Sequence, residues 1–133
     1  NETEIDDWKD LAFNSETNAY EPYDYSGKTM PNAPAYTGSL SAMYRHPLGL
    51  MARADWLLTG KFYGDPKNTT EQEAYQILNL RLGYESEHLD LILWGSNVFD
   101  KQYTTYVSTY GTYGTVVRDG EPRTIGVTLS YRF

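Results

Sequence analysis

The chain has 133 residues and a formal net charge of -7, with 11 Lys and Arg against 18 Asp and Glu. Its pI near 4.7 argues against a nucleic-acid partner, because phosphates require clustered Lys and Arg. It has no cysteine, which excludes a disulfide framework, a thiolate metal site and a cysteine nucleophile. No apolar run approaches the roughly 18 residues of a transmembrane helix, whereas transmembrane strands need only about 9–11 alternating residues.

Residues 1–34 are predicted to form an acidic extracellular loop region. Their Asn, Ser, Gly and Pro residues favour turns and loops. Eight acidic residues and one basic residue, Lys9, precede Gly27. The remaining chain has ten acidic and ten basic residues, so this segment carries the whole net charge of -7. The chain starts without an initiator Met, so we expect a processed form or a fragment. Four apolar positions fit either the end of a strand or a short helix: Ile5, Trp8, Leu11 and Phe13.

Residues 35–133 alternate between apolar and polar positions with a period of two, which predicts β-strands. The glycine in residues 95–97 predicts a β-bulge in the fourth strand. Residues 70–81 also fit a helix that starts with a capping box, although their leucines fit the strand pattern better. Four of the five predicted strands span residues 36–45, 48–63, 78–85 and 124–133, and the other begins at residue 89.

The connections between the predicted strands alternate in length. Residues 45–47 and 85–87 form short turns, whereas residues 64–73 and 100–122 form long loops. Short turns at one end and long loops at the other are typical of an up-and-down outer-membrane barrel. The fold class predicted is therefore all-β, an antiparallel transmembrane barrel segment of about five strands with short periplasmic turns and long extracellular loops.

The two faces of the predicted strands differ in chemistry. One face is apolar in all five strands, and no separate segment of the chain is available to cover it, so we expect it to face lipid. The opposite face would line the lumen, where its charges are expected to pair with each other or with a plug domain rather than bind substrate. The residues predicted to face the lumen are Arg53, Asp55, Lys61, Asn79, Arg81 and Glu85.

Aromatic residues fall at the ends of the predicted strands, where they would form girdles at the two membrane interfaces. The short-turn row is Tyr44, Tyr84, Tyr131 and Phe133, and the long-loop row is Tyr36 and Phe62. Five strands cannot close a membrane barrel, and an open edge in lipid leaves backbone groups unsatisfied. The chain is therefore part of a larger barrel, pairs with other chains, or is a soluble sheet.

Two segments near the end of the chain carry a family resemblance. Residues 91–103, LILWGSNVFDKQY, resemble the N-L-F-D-K-x-Y signature of TonB-dependent outer-membrane receptors, with Val98 where Leu is common. Residues 122–133, PRTIGVTLSYRF, resemble the closing strand of the same receptors. Residues 30–34 and 74–79 are also similar to family patterns, so the resemblance covers residues 26–133.

The resemblance implies a transport protein of a Gram-negative outer membrane. The family fold is a barrel of about 22 strands around a plug domain, and this chain corresponds to its last five strands. The family imports scarce nutrients, most often ferric siderophores and sometimes cobalamin, haem or sugars. The implied partners are outer-membrane lipid, the remaining strands and plug in the same or a separate chain, and a ferric siderophore or similar ligand.

The last strand also resembles the signal that the barrel-assembly machinery reads, an alternating strand that ends in Phe. A closing strand with an unpaired edge can be templated through that edge. The residues that match this assembly signal are Val127, Leu129, Tyr131 and Phe133.

The loop at residues 100–122 is rich in Tyr and Gly, which suits adaptable ligand contact. An anionic ferric chelate would favour Tyr stacking and Arg contacts. The alternative is that Tyr103 and Tyr106 only extend the strand. The candidate ligand-binding residues are Tyr103, Tyr106, Tyr110, Tyr113 and Arg118.

No nucleophile–base arrangement, phosphate loop or metal-ligand spacing is visible in the sequence, so we expect no enzyme, metal site or cofactor. Two other functions stay open at this point. One is a soluble β-sandwich or small barrel that binds a ligand or partner, and the other is a structural barrel segment that assembles with other chains.

Overall fold

The computed structural model describes residues 4–14, 16–109 and 114–133. The regular secondary structure in these ranges consists of β-strands. This part of the chain contains no helix that is long and apolar enough to cross a membrane. The strands in chain order are β1 (Lys9–Asn14), β2 (Ala19–Asp24), β3 (Thr37–Arg45), β4 (Leu50–Thr59), β5 (Phe62–Tyr63), β6 (Glu71–Gln72), β7 (Tyr75–Glu85), β8 (Leu89–Ser96), β9 (Thr104–Thr109), β10 (Thr115–Asp119) and β11 (Thr124–Tyr131).

The chain divides into two units. The sheet unit comprises residues 37–59, 75–102 and 121–133, and the hairpin unit comprises residues 1–36, 60–74 and 103–120. The sheet unit holds one five-stranded antiparallel sheet in the order β11-β8-β7-β4-β3. Each strand pairs with the next strand of the sheet along the chain, so the topology is up-and-down, as the alternating lengths of the connections predicted.

Alternation in the sheet unit confines the charged residues of the five strands to one face. Along the paired registers, Leu40 lies opposite Trp56 and Leu82 lies opposite Leu93, so the apolar positions of neighbouring strands share one face. We call this the outer face, and it carries no charged residue in any of the five strands. We call the opposite face the inner face, and all the charged residues of these strands lie on it.

The hairpin unit consists of three two-stranded antiparallel hairpins, β1–β2, β5–β6 and β9–β10. A single hairpin is marginally stable in water, so these hairpins need bonds to other segments. The Asn68 side chain bonds both backbone groups of Thr29 at 2.7 and 2.8 Å, and the Asn32 side chain bonds both backbone groups of Val107 at 2.9 and 3.0 Å. Phe62 and Val107 are buried in this unit.

Several boundaries differ from the sequence expectations. The second predicted strand ends at Thr59 rather than near residue 63. Gly60 follows it, and glycine weakens a strand, although the Gly60 N–H still bonds the carbonyl of Tyr36 at 2.8 Å. Phe62 therefore belongs to β5 and is buried, so its assignment to an interfacial aromatic row was wrong.

The bulge expected at residues 95–97 does not occur in the pairing of β8 with β11. The register between β8 and β11 runs without a shift, and β8 simply ends at Ser96, where Asn97 takes a left-handed conformation with φ 47°. The helix alternative for residues 70–81 is excluded, since that segment forms β6 and the first part of β7.

Candidate functional site

The outer face is apolar and accessible in the sheet unit. Trp56 is 43% exposed, Leu80 37% and Leu129 68%, and these residues would be sealed away if the sheet packed inside a globule. The largest apolar side chains of β11 are all more than half exposed. Soluble monomers rarely expose a contiguous apolar patch of more than a few hundred Å², so a face of this extent indicates contact with lipid or protein.

The inner face holds ion pairs and a concavity. The Arg53 Nε donates to both carboxylate oxygens of Asp55 at 3.0 and 2.8 Å, and its Nη2 donates at 2.7 Å. The Ser41 hydroxyl donates to the same carboxylate at 2.7 Å, and Arg45 pairs with Glu85 at 3.2 Å. These pairs neutralise two carboxylates within the sheet: Arg53 and Asp55 are two residues apart on the same face of β4, and Arg45 of β3 reaches across β4 to Glu85 of β7.

Five of the six residues predicted for the lumen lie together on the inner face. A concavity of about 650 Å³ is lined by residues that include Arg53, Asp55, Asn79, Arg81 and Glu85. The exception is Lys61, which lies outside the sheet because β4 ends at Thr59. Hydrogen bonds to Tyr63 and to Glu71 raise the pKa of Lys61 above its ordinary value.

The hairpin β9–β10 brings two predicted ligand-binding residues together. Tyr106 and Arg118 are direct cross-strand partners, and both side chains are exposed. A bulge follows this pair, and the hydroxyl of Thr105 donates to the carbonyl of Arg118 at 3.0 Å. Successive residues of a strand point to opposite faces, so Tyr106 and Arg118 share one face of the hairpin and the buried Val107 lies on the other.

The remaining candidates of this loop are placed differently. A Cβ at Gly120 would collide with the Tyr103 ring, and the Gly120 N–H bonds the carbonyl of Tyr103 at 2.7 Å. Tyr103 is therefore engaged in closing the base of the hairpin. Tyr110 and Tyr113 lie outside the described residues.

The predicted assembly residues lie at one edge of the sheet. Val127, Leu129 and Tyr131 project from the outer face of β11, whose second edge pairs with no strand among the described residues. Phe133 lies just beyond the strand, with its ring edge-on to Tyr131 at 5.3 Å between centroids.

Two buried polar residues have roles that the sequence interpretation did not identify. The Asn97 side chain donates to the carbonyls of Lys101 and Glu121 at 2.9 and 3.0 Å, and it accepts the Lys101 N–H at 2.9 Å. It thereby ties the end of β8 to the segment before β11. The position of Asn97 within the N-V-F-D motif was the available signal, since Asn tolerates a left-handed backbone.

Asp65 has a comparable role in the hairpin unit. Its buried carboxylate accepts the N–H and hydroxyl of Thr69 and the N–H of Thr70, at 2.6 to 3.1 Å. Nearby, burial raises the pKa of the Tyr25 phenol, and the charge of Asp10 acts in the same direction. These groups order the unit internally, and they carry no reactive arrangement.

Comparison with known proteins agrees with this geometry. The family model described as TonB dependent receptor-like, beta-barrel matches residues 2–98. Over 118 residues the chain is 30% identical to the ferrichrome outer membrane transporter/phage receptor of Escherichia coli (strain K12), covering 82% of this chain and 15% of that protein.

Two solved structures are also similar to the chain. The siderophore receptor PiuA from Acinetobacter baumannii matches with a TM-score of 0.73 and 25% identity, over 91% of this chain and 17% of that one. The ferric yersiniabactin uptake receptor FyuA from Yersinia pestis matches with a TM-score of 0.67 and 29% identity, over 82% and 18%. The chain thus spans less than a fifth of the length of these relatives, which are receptors and transporters rather than enzymes.

A charge-free exposed face, a charged inner face and up-and-down pairing define the class of protein, an all-β wall segment of a transmembrane barrel. Within that class, the chain belongs to the TonB-dependent receptor-like β-barrel family. This confirms the family that residues 91–103 and 122–133 predicted.

Proposed function

We propose that this chain is part of an outer-membrane receptor that imports a ferric siderophore into a Gram-negative bacterium. The observation that carries the proposal is the outer face, which is apolar, exposed and free of charge along all five strands. Water would penalise such a face, whereas acyl chains match it. The names of the relatives, which include a ferrichrome transporter, a siderophore receptor and a ferric yersiniabactin uptake receptor, support iron uptake as the activity.

In this proposal residues 1–34 form an acidic extracellular loop region, and residues 35–133 supply barrel strands with periplasmic turns and extracellular loops. The connections after β3 and β7 have four and three residues, which suits the periplasmic side. The connections that hold β5–β6 and β9–β10 are longer and suit the extracellular side. The remaining strands and a plug domain, in the same or a separate chain, complete the receptor.

The residues proposed to contact ligand are Tyr106 and Arg118, with Tyr103, Tyr110 and Tyr113 as further candidates. A ring and a guanidinium side by side can stack on a planar chelating group and pair with a negatively charged oxygen. Tyr106 and Arg118 are favoured because they are cross-strand partners on the accessible side of their hairpin.

The edge strand β11 is proposed to carry the signal for the barrel-assembly machinery, through Val127, Leu129, Tyr131 and Phe133. Its second edge offers unpaired backbone groups to a templating strand. In the completed receptor the same edge pairs with another wall strand, because lipid does not tolerate open edges.

The experiment is a binding titration of the full receptor in detergent with a panel of neutral and anionic ferric siderophores. Tyr106→Ala and Arg118→Ala should each weaken the bound chelate about tenfold, as expected for losing about 1–2 kcal/mol of stacking or charge pairing. Tyr44→Ala and Arg45→Ala, at the opposite end of the strands, are the matched controls and should leave affinity unchanged. Failure of every ferric siderophore to bind the wild-type receptor would refute the import proposal.

A further inference from the structure

The inner face has one more positive than negative charge. Its arginines are Arg45, Arg53, Arg81 and Arg132, and its carboxylates are Asp55, Glu85 and Asp90. Arg45 pairs with Glu85, Arg53 with Asp55 and Arg132 with Asp90. The guanidinium of Arg81 makes no hydrogen bond or ion pair with any described residue, so it is the one inner-face arginine left over.

The surroundings of Arg81 make this surplus costly. Arg81 is the direct cross-strand partner of Arg53, and like charges in that position repel. Asp55, the carboxylate on which the charge of Arg81 acts, already accepts three hydrogen bonds from Arg53 and one from Ser41, and Arg81 forms no ion pair with it. On its other side Arg81 pairs across strands with Trp94, which offers no negative charge.

The missing counter-charge cannot come from a neighbouring wall strand. Arg81 lies on β7, the central strand of the sheet, and both of its partners, β4 and β8, are already described. A new partner can therefore approach only from in front of the inner face, through the concavity of about 650 Å³ that Arg81 helps to line. Charges inside a membrane protein are normally paired, which makes a carboxylate the fitting occupant.

We propose that Arg81 is a docking point for an Asp or Glu side chain from a part of the receptor outside these 133 residues. A polypeptide carboxylate is favoured over a free anion for two reasons. More than four fifths of the length of the relatives lies outside the matched region, and the lining mixes Met43, Met51 and Trp94 with the charges, as a protein contact does. The inference rests on the proposed barrel wall, with the inner face turned away from lipid.

Photo-crosslinking in the intact receptor tests the occupant. Benzoylphenylalanine at position 81, and separately at Asn79 on the same face, should crosslink to an acidic peptide outside residues 1–133. The same probe at Leu82 on the outer face is the control and should give lipid adducts or none. A Leu82 probe that captures protein would refute the wall itself, whereas lipid adducts at 82 without a polypeptide crosslink at 79 or 81 would overturn the docking proposal alone.

A charge exchange then tests the pairing. Substituting the crosslinked carboxylate with Arg should lower the midpoint of thermal unfolding of the receptor by several degrees, because it places a second positive charge against Arg81, and adding Arg81→Glu should restore at least half of that shift. Adding Arg45→Glu instead should not restore it, because the partner of Arg45 is Glu85. Absence of rescue would overturn the proposal, as would stabilisation of the wild type by added citrate that Arg81→Gln abolishes, since that result identifies a free anion.

Discussion

Arginine substitutions at adjacent residues of opposite faces provide the sharpest mutational test of the fold. Leu80 is the middle outer-face residue of β7, four residues from Gln76 and four from Tyr84, or about 13 Å of strand in each direction. It therefore lies near the bilayer midplane, where Arg costs about 2–4 kcal/mol on the lipid face. Val127, in the middle of the outer face of β11, should respond in the same way.

The neighbouring inner-face residues give the matched controls. Thr128→Arg should cost less than about 1 kcal/mol, since the contact it loses is a long hydrogen bond of 3.3 Å from the Trp94 indole. Asn79→Arg should cost about 1–2 kcal/mol, because the Asn79 carbonyl accepts bonds from the Ser96 hydroxyl and the Asn97 N–H.

The assay is reversible unfolding of the full receptor in lipid bilayers with guanidinium chloride. A difference of about 3 kcal/mol corresponds to more than a hundredfold in the folded-to-unfolded ratio. Val127→Arg should cost at least about 1 kcal/mol more than Thr128→Arg, and Leu80→Arg should cost more than Asn79→Arg. Equal costs on the two faces would refute the assignment of lipid and lumen.

Three further results are expected. Asn97→Ala should lower the free energy of unfolding by about 1–3 kcal/mol in the same assay, because it leaves the Lys101 N–H without its acceptor, and an unchanged value would contradict the role of Asn97 at the base of β11. Deleting Phe133 should reduce the yield of assembled receptor in outer membranes without affecting its synthesis, and a normal yield would contradict the assembly signal. Tyr25 should ionise, by absorbance, at higher pH than a free tyrosine side chain, because burial raises its pKa. Above the unfolded pKa of about 10 the unfolded form loses this proton first, so the hairpin unit should weaken there, and Tyr25→Phe should remove this contribution to the alkaline loss of stability.

The apolar–polar alternation predicted the sheet well because the two faces of a barrel wall have different surroundings, lipid on one side and the lumen on the other. An outer position cannot hold a charge and an inner one can, so Leu80 beside Arg81 identifies both faces without any tertiary information. The same logic failed at Lys61, where the pattern continued through Gly60 although the strand did not. Glycine is found both inside strands and at their ends, so the sequence does not show that β4 ends just before Gly60.

The hairpins were harder to predict from the sequence for a physical reason. Each has only two strands and no packed core of its own, so its sequence need not alternate strongly. Hydrogen bonds between residues that are far apart in the sequence order them, such as the bond between Asn32 and Val107, which are 75 residues apart. Such pairs leave no periodic pattern, and the same holds for the pairing of Tyr106 with Arg118, which the sequence marked only by composition.

The orientation of β7 in a membrane is the claim on which the rest depends. Site-directed spin labels at positions 77 to 82, attached to single introduced cysteines, measure it directly, since the chain has no native cysteine. We predict that labels at 78, 80 and 82 collide mainly with oxygen dissolved in lipid, and that labels at 77, 79 and 81 do not. Labels at 78, 80 and 82 that were shielded from oxygen, or that collided mainly with a water-soluble nickel reagent, would contradict the account.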